Sequence, residues 1–321
     1  MKNIVMTAFK IIVAGGLITW LIKTKKISME PFAQLWAHPS MLILVFAAVL
    51  ALILINNYRW VLLLRGQDVL SNNRETLPLS LIGLFFNIAM PGSVGGDVVK
   101  GYYIVRRHPQ AKVAVATSVL IDRLVGLYAM TLIALYPLVI HANFVFSSPK
   151  LKAMALFVLG LIVFFTIFFL VGFSQAIRTH DKTEALFKKI PAGKLFEKVY
   201  DAVHAYSRHK TEFIWGILLS VVAQTVIIVA FYFVGHALGY TSVTLNGLLF
   251  AIPLGLIAAA VPVSPGGIGV GQAVFFALFS WYPGLVGEFG VAVITIFQVV
   301  QALWSLLGAA FYLRMKNSGM S

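Results

Sequence analysis

Cysteine is absent from the 321 residues, which excludes disulfides, thiol nucleophiles, cysteine-ligated zinc and iron–sulfur clusters. Charge is scarce as well. Only 11% of the residues are Asp, Glu, Lys or Arg, against roughly a quarter in a soluble domain. The scarcity is one-sided, because 25 Lys and Arg face 11 Asp and Glu and leave a formal net charge of +14. The chain also lacks a phosphate-binding P-loop, an H-E-x-x-H zinc helix and a G-x-S-x-G nucleophile turn. The stretch 266–271 is rich in glycine, but it has neither the G-x-G-x-x-G spacing nor the strand-to-helix context of a dinucleotide fold. No cofactor and no metal site are expected.

What the chain does hold is apolar surface. It is 60% hydrophobic, with a mean hydropathy of +0.91, and several stretches reach the roughly 20 apolar residues that a spanning helix needs. The sequence predicts an all-α, polytopic integral membrane protein. Six full spans are expected at about 4–22, 41–63, 113–140, 151–173, 213–238 and 291–313. They read as helices because only helices and closed barrels satisfy backbone polar groups in hydrocarbon. Continuous apolar runs without alternation exclude the barrel. The N-terminus imitates a signal peptide, yet Lys23, Lys25 and Lys26 follow it in place of a small-residue cleavage site, so a retained span is expected.

Two further apolar regions are interrupted. Residues 79–90 lead into Pro91-Gly92-Ser93-Val94-Gly95-Gly96-Asp97 and then a short apolar stretch at 98–105. Residues 245–260 lead into Val261-Pro262-Val263-Ser264-Pro265-Gly266-Gly267-Ile268-Gly269 and then 270–280. Each half is short for a crossing, so each region is expected to be a re-entrant helical hairpin broken at membrane depth. The basic residues lie between the apolar spans, where the positive-inside rule puts them and where anionic lipid headgroups are their natural partner, not nucleic acid. Arg106, Arg107 and Lys112, the basic stretch 174–212, and Arg314 with Lys316 are assigned to the cytoplasm. Both termini then lie inside, with Lys23, Lys25 and Lys26 as the one violation. Within 174–212, Leu195, Phe196, Val199, Val203 and Tyr206 recur at helical spacing. They describe an amphipathic helix that either lies on the inner membrane surface or packs on the bundle.

The two breaks can be superposed, Pro91-Gly92-Ser93-Val94-Gly95 on Pro265-Gly266-Gly267-Ile268-Gly269. Each half of the chain reads span, span, hairpin, span, and the second half starts on the opposite side. The whole chain is therefore expected to be one membrane domain made of two inverted repeats, 1–140 and 141–321. Interrupted helices at matching positions point to a midplane site in transporters, since a broken helix offers free N–H groups and a positive dipole end to an anion. Ionisable residues at membrane depth are costly and usually functional or paired. Asp97 and Lys100 share a helix face at i,i+3, and Asn87 precedes the break on the other arm. Asp122 and Arg123 sit within a span and project about 100° apart, so they are expected to pair elsewhere, Asp122 with Lys100 and Arg123 with Asp97 or a lipid phosphate. Alternatively, Asp97 caps the second half-helix and Lys100 snorkels. Gln272, Gln298 and Gln301 either line the cavity or join helices.

Three motifs, Asn87-x-x-x-Pro91-Gly92-x-x-Gly95-Gly96-Asp97, Asp122-Arg123-x-x-Gly126 and Pro262-x-x-Pro265-Gly266-Gly267-x-Gly269, together resemble the membrane domain of the lysylphosphatidylglycerol synthetase/flippase family, also called flippase-like or UPF0104 proteins. The resemblance covers nearly the whole chain. It implies a multi-pass protein of the bacterial or archaeal cytoplasmic (inner) membrane that moves a lipid between leaflets. Two-domain relatives carry a soluble aminoacyl-transferase domain, and with the chain ending at Ser321 that activity is not expected here. This chain departs from the family pattern at Lys100, where the family often has Arg, and at Gly271-Gln272, where it often has Arg-Glu. The resulting expectation is a lipid translocase without a nucleotide motif. Its site is built from Asn87, Pro91, Gly92, Gly95, Gly96, Asp97, Lys100, Asp122, Arg123, Pro265, Gly266, Gly267, Gly269 and Gln272, and its partners are membrane lipids with an anionic headgroup, with a homo-oligomer left open. The alternatives are a membrane-embedded enzyme or accessory subunit in lipid or glycolipid modification, with Asp97 and Asp122 as base and metal ligand, and a scaffold that transports nothing.

Overall fold

The computed structural model describes residues 35–89, 95–175, 193–261 and 267–317. Every regular element among them is helical. Helix α1 (Pro39–Arg65) is followed by the pair α2 (Asn73–Ala89) and α3 (Gly95–Arg107), then α4 (Lys112–Ile140) and a short α5 (Ala142–Ser147). Next come α6 (Pro149–Phe173), α7 (Gly193–Ala205) and α8 (Lys210–Ala237). The pair α9 (Leu245–Ala259) and α10 (Val270–Trp281) precedes α11 (Gly287–Asn317). Five helices, α1, α4, α6, α8 and α11, are long and apolar enough to cross a membrane. They coincide with five of the six expected spans, and the sixth, 4–22, lies outside the described residues.

Helix boundaries differ from the hydropathy reading where polar residues cap an apolar run. The first interrupted region begins at Asn73, not at 79, because the Asn72 side chain accepts a hydrogen bond from the Glu75 N–H at 3.1 Å, as an N-cap does. At the start of α9 the Thr244 hydroxyl likewise accepts from the Gly247 N–H at 3.2 Å. The second break closes through Gly267 and Gly269, whose φ angles of +71° and +83° suit glycine and little else.

Both interrupted regions fold back on themselves. In the first, a Cβ on Gly83 would lie 2.9 Å from the Gly96 carbonyl oxygen, and one on Gly96 would overlap the Gly83 carbonyl. The two arms therefore touch backbone to backbone. The base of this hairpin is tied by Arg107 to Glu75 at 2.9 Å. In the second, Gly267 and Gly271 lie against Ala259, while Gly255 lies against Phe275, as antiparallel arms require.

Around these pairs the long helices pack in a definite order. Helix α1 packs chiefly on α8, α2 on α11, and α9 on α4. The main core runs from Val45, Val49 and Leu52 through Phe231 and Phe250 to Phe275 and Phe289. A second cluster joins Trp60 and Leu64 to Leu79, Ile82, Tyr103 and Val115 of the first hairpin and α4. A third gathers Leu63, Val125, Phe165, Phe169 and Phe213 around Val203 and Tyr206. The Tyr206 hydroxyl donates to the Leu63 carbonyl at 2.8 Å, and Gln67 donates to the Ala202 carbonyl at 2.5 Å. Of the two readings of this amphipathic segment, packing on the bundle is the one these contacts describe. Helix α6 remains outermost, exposing Leu156, Phe157, Val163, Phe164, Ile167 and Leu170. Such a surface is stable only against hydrocarbon or another apolar face.

Candidate functional site

Five ionisable side chains from three helices converge where the first hairpin meets α1 and α4. Asp122, 6% exposed, is the hub. Its Oδ1 accepts from Arg59 Nε at 2.8 Å, and its Oδ2 lies 3.5 Å from Lys100 Nζ. Lys100 also reaches Asp97 Oδ1 at 3.2 Å, and Asp97 Oδ2 accepts from Arg123 Nε. The two pairings expected from sequence, Lys100 with Asp122 and Arg123 with Asp97, are both present. Arg59 was not foreseen. It sits inside the C-terminal end of an apolar span, where a long cation ordinarily snorkels outward. Here it turns inward, and its second donor reaches the Ser220 hydroxyl of α8 at 2.8 Å.

The surrounding residues make room for this arrangement. Gly126, one helical turn past Asp122, lies under the Arg59 guanidinium, where a Cβ would come within 3.3 Å of the terminal nitrogen. The spacing Asp122-Arg123-x-x-Gly126 thus supplies an acceptor for Arg59 and a gap for its head. Lys100 lies over the Trp60 ring at 4.6 Å, a cation–π contact that offsets part of its desolvation, and the Trp60 indole donates to Ser118 at 3.3 Å. Asn87 accepts from the Gly96 N–H at 2.8 Å. The cap of α3 therefore comes from the opposite arm and not from Asp97, which is left for the cations.

A cavity of about 170 Å³ opens among these groups, lined by Asn56, Asn57, Arg59, Ser80, Asn87, Asp97, Lys100, Asp122 and Gln301. Asn57 is held by Asn73 at 3.0 Å and by Ser80 at 2.8 Å. Asp97 also borders a second, apolar cleft of about 490 Å³ between α3 and α4. That cleft is walled by Val98, Gly101, Tyr102, Val105, Val115, Val119 and Leu120, with Arg123 at its edge. A polar chamber and an apolar cleft thus share one carboxylate.

The second hairpin brings together a neutral set. Gln272 accepts from the Gly269 N–H at 2.7 Å and donates to Thr295 at 3.2 Å and to Gln298 at 2.8 Å. Gln298 therefore joins helices, while Gln301, one turn further along α11, lines the charged chamber. Of the other expected site residues, Gly95 and Gly96 open α3, and Gly267 and Gly269 close the second break. Pro91, Gly92, Pro265 and Gly266 lie outside the described residues. Asn56, Asn57, Ser80 and Ser220 had no sequence signal beyond being polar within apolar runs.

The family model described as "Lysylphosphatidylglycerol synthase TM region" matches residues 7–308. A protein named "UPF0104 membrane protein" from Methanothermobacter thermautotrophicus (strain Delta H) is 22% identical over 272 residues, 78% of each chain. No solved structure matches the chain significantly.

Proposed function

Since the chain belongs to the family of the lysylphosphatidylglycerol synthase transmembrane region, we propose that it is a flippase-like lipid translocase moving a phospholipid or lipid-linked headgroup between the leaflets of the cytoplasmic membrane. The observation that carries this reading is the charged chamber beside an apolar cleft. Buried ions are expensive in hydrocarbon and by default mark function. A lipid has the matching shape, with a polar head for the chamber and acyl chains for the cleft.

The two hairpins are the moving or gating elements in this account. Each arm is short for a full crossing, and each pair enters re-entrantly, the first from the cytoplasm and the second from outside. The packing order supports two inverted repeats. Exchanging α1 with α8, α2 with α9 and α4 with α11 maps the α1–α8 contact onto itself and the α2–α11 contact onto the α9–α4 contact. Inverted repeats of this kind rock about a site at their interface. With no nucleotide motif, translocation runs down the lipid's own gradient or is coupled to protons.

During transfer the phosphate joins the carboxylates as a further acceptor for Lys100 and Arg123. The Asp97 pairings with both cations keep them oriented toward the head throughout. The chain's own residues thus bind, orient and release the head, and no covalent step is involved. The test is leaflet exchange of fluorescent phospholipids in proteoliposomes, read by quenching of outer-leaflet dye. Acceleration over protein-free vesicles for at least one anionic lipid is expected. No acceleration across a broad lipid panel would sink the reading.

A further inference from the structure

On the reading just given, we propose that the headgroup taken by the chamber is an anionic phosphodiester ending in uncharged hydroxyls, of the glycerol or sugar kind, and not a headgroup that carries an amine. The first argument is charge. Among the described residues the cluster holds three cations, Arg59, Lys100 and Arg123, and two carboxylates, Asp97 and Asp122. One phosphodiester brings this formal +1 to zero. A headgroup with an additional ammonium restores the surplus in a site where unbalanced charge is costly.

The second argument is acceptor supply. An ammonium needs a carboxylate or an aromatic cage. Asp122 already takes Arg59 and Lys100, and Asp97 takes Lys100 and Arg123. No aromatic ring lines the chamber among the described residues, and the indole face of Trp60 is already covered by Lys100. The second hairpin and α11 together offer amides and a hydroxyl, Gln272 with Gln298 and Thr295, in place of an acid.

The third argument is the rest of the wall. Asn56 and Gln301 line the chamber, and neither side-chain amide is hydrogen-bonded to a described residue. A primary amide offers both a donor and an acceptor, the complement of a hydroxyl. The chamber of about 170 Å³ corresponds to roughly five or six waters, room for a phosphate and a small polyol. Loss of water from two such amides is best offset by hydroxyls that both give and accept.

The experiment is native mass spectrometry of the full chain in detergent, offered an equimolar mixture of acyl-matched phosphatidylglycerol, phosphatidic acid, phosphatidylethanolamine and lysyl-phosphatidylglycerol. Phosphatidylglycerol is expected to be retained at least about fivefold over the two amine-bearing lipids. Gln301→Leu is expected to lower phosphatidylglycerol to the level of phosphatidic acid while leaving phosphatidic acid unchanged. Excess deacylated glycerophosphoglycerol is expected to leave the bound lipid in place, since the acyl chains also hold it. Equal or stronger retention of either amine lipid overturns the inference but leaves translocation standing, as does an equal loss of phosphatidylglycerol and phosphatidic acid in Gln301→Leu. Displacement by the deacylated compound overturns the lipid as the source of the head. Retention of no phospholipid above the detergent background overturns both this inference and the translocase reading.

Discussion

Replacing Arg59 by Met and Asp122 by Leu, singly and together, separates what the ion cluster does for the fold from what it does for function. Arg59 and Asp122 are both more than nine-tenths buried and lie 2.8 Å apart. Asp122→Leu removes the acceptor shared by Arg59 and Lys100 and raises the formal charge of the cluster from +1 to +2. Removing one partner of a buried pair costs roughly 3–5 kcal/mol. Arg59→Met costs less, about 2–3 kcal/mol by the same argument, because Asp122 keeps Lys100. The double variant returns the formal charge to +1, and an apolar pair of similar volume is often neutral by comparison. Its expected cost is below about 2 kcal/mol, giving a coupling of at least about 3 kcal/mol, at or beyond the upper end for contacting residues. The assay is reversible unfolding in mixed micelles with rising SDS fraction, followed by tryptophan fluorescence. Costs that add within about 0.5 kcal/mol would refute the reasoning, since independent sites add and a shared ion pair does not. The double variant is expected to be folded but inactive in leaflet exchange.

Other perturbations probe the scaffold of the site. Gly96→Ala places a methyl against the Gly83 carbonyl and Asn87, so it should force the first hairpin apart and abolish the monodisperse species in size-exclusion chromatography. Gly101→Ala meets Val119 alone among the described residues, at 3.7 Å, and should elute as wild type. Gln272→Leu strips the Gly269 N–H of its acceptor and breaks two links to α11. At roughly 0.6 kcal/mol for each membrane hydrogen bond, it should destabilise by about 1–2 kcal/mol in the same SDS titration. Arg107→Ala removes a bridge to Glu75 at the exposed base of the first hairpin, and its effect on that titration should stay below about 1 kcal/mol.

Five of the spans and the helix pairs flanking the two interruptions were legible because hydrocarbon imposes length and apolarity on each segment, and Pro with Gly marks where a helix stops. Pairing between the first hairpin and α4 was legible for a related reason. Asp97, Lys100, Asp122 and Arg123 are too costly in an apolar setting to stand alone, and helical spacing limited their choices. Arg59 was hidden because its partners, Asp122 and Ser220, are 63 and 161 positions away. Its own neighbourhood, next to Trp60 and near the end of a span, reads as an interfacial flank. The cap of α3 was also misassigned in one reading. Asp97 is the local candidate, but Asn87 reaches across the break because Gly83 and Gly96 let the arms touch. For the same reason the role of Gln301 depended on tertiary structure. One helical turn separates it from Gln298, yet the first faces the charged chamber and the second binds Gln272.

The most direct test is the leaflet-exchange rate of anionic phospholipid in proteoliposomes carrying the full chain, measured beside Lys100→Met and Asp97→Asn variants that elute and unfold as intact proteins. The account predicts clear acceleration by the wild-type chain and at least about a tenfold loss in each variant. Exchange no faster than in empty vesicles, or exchange that survives both substitutions, would contradict it.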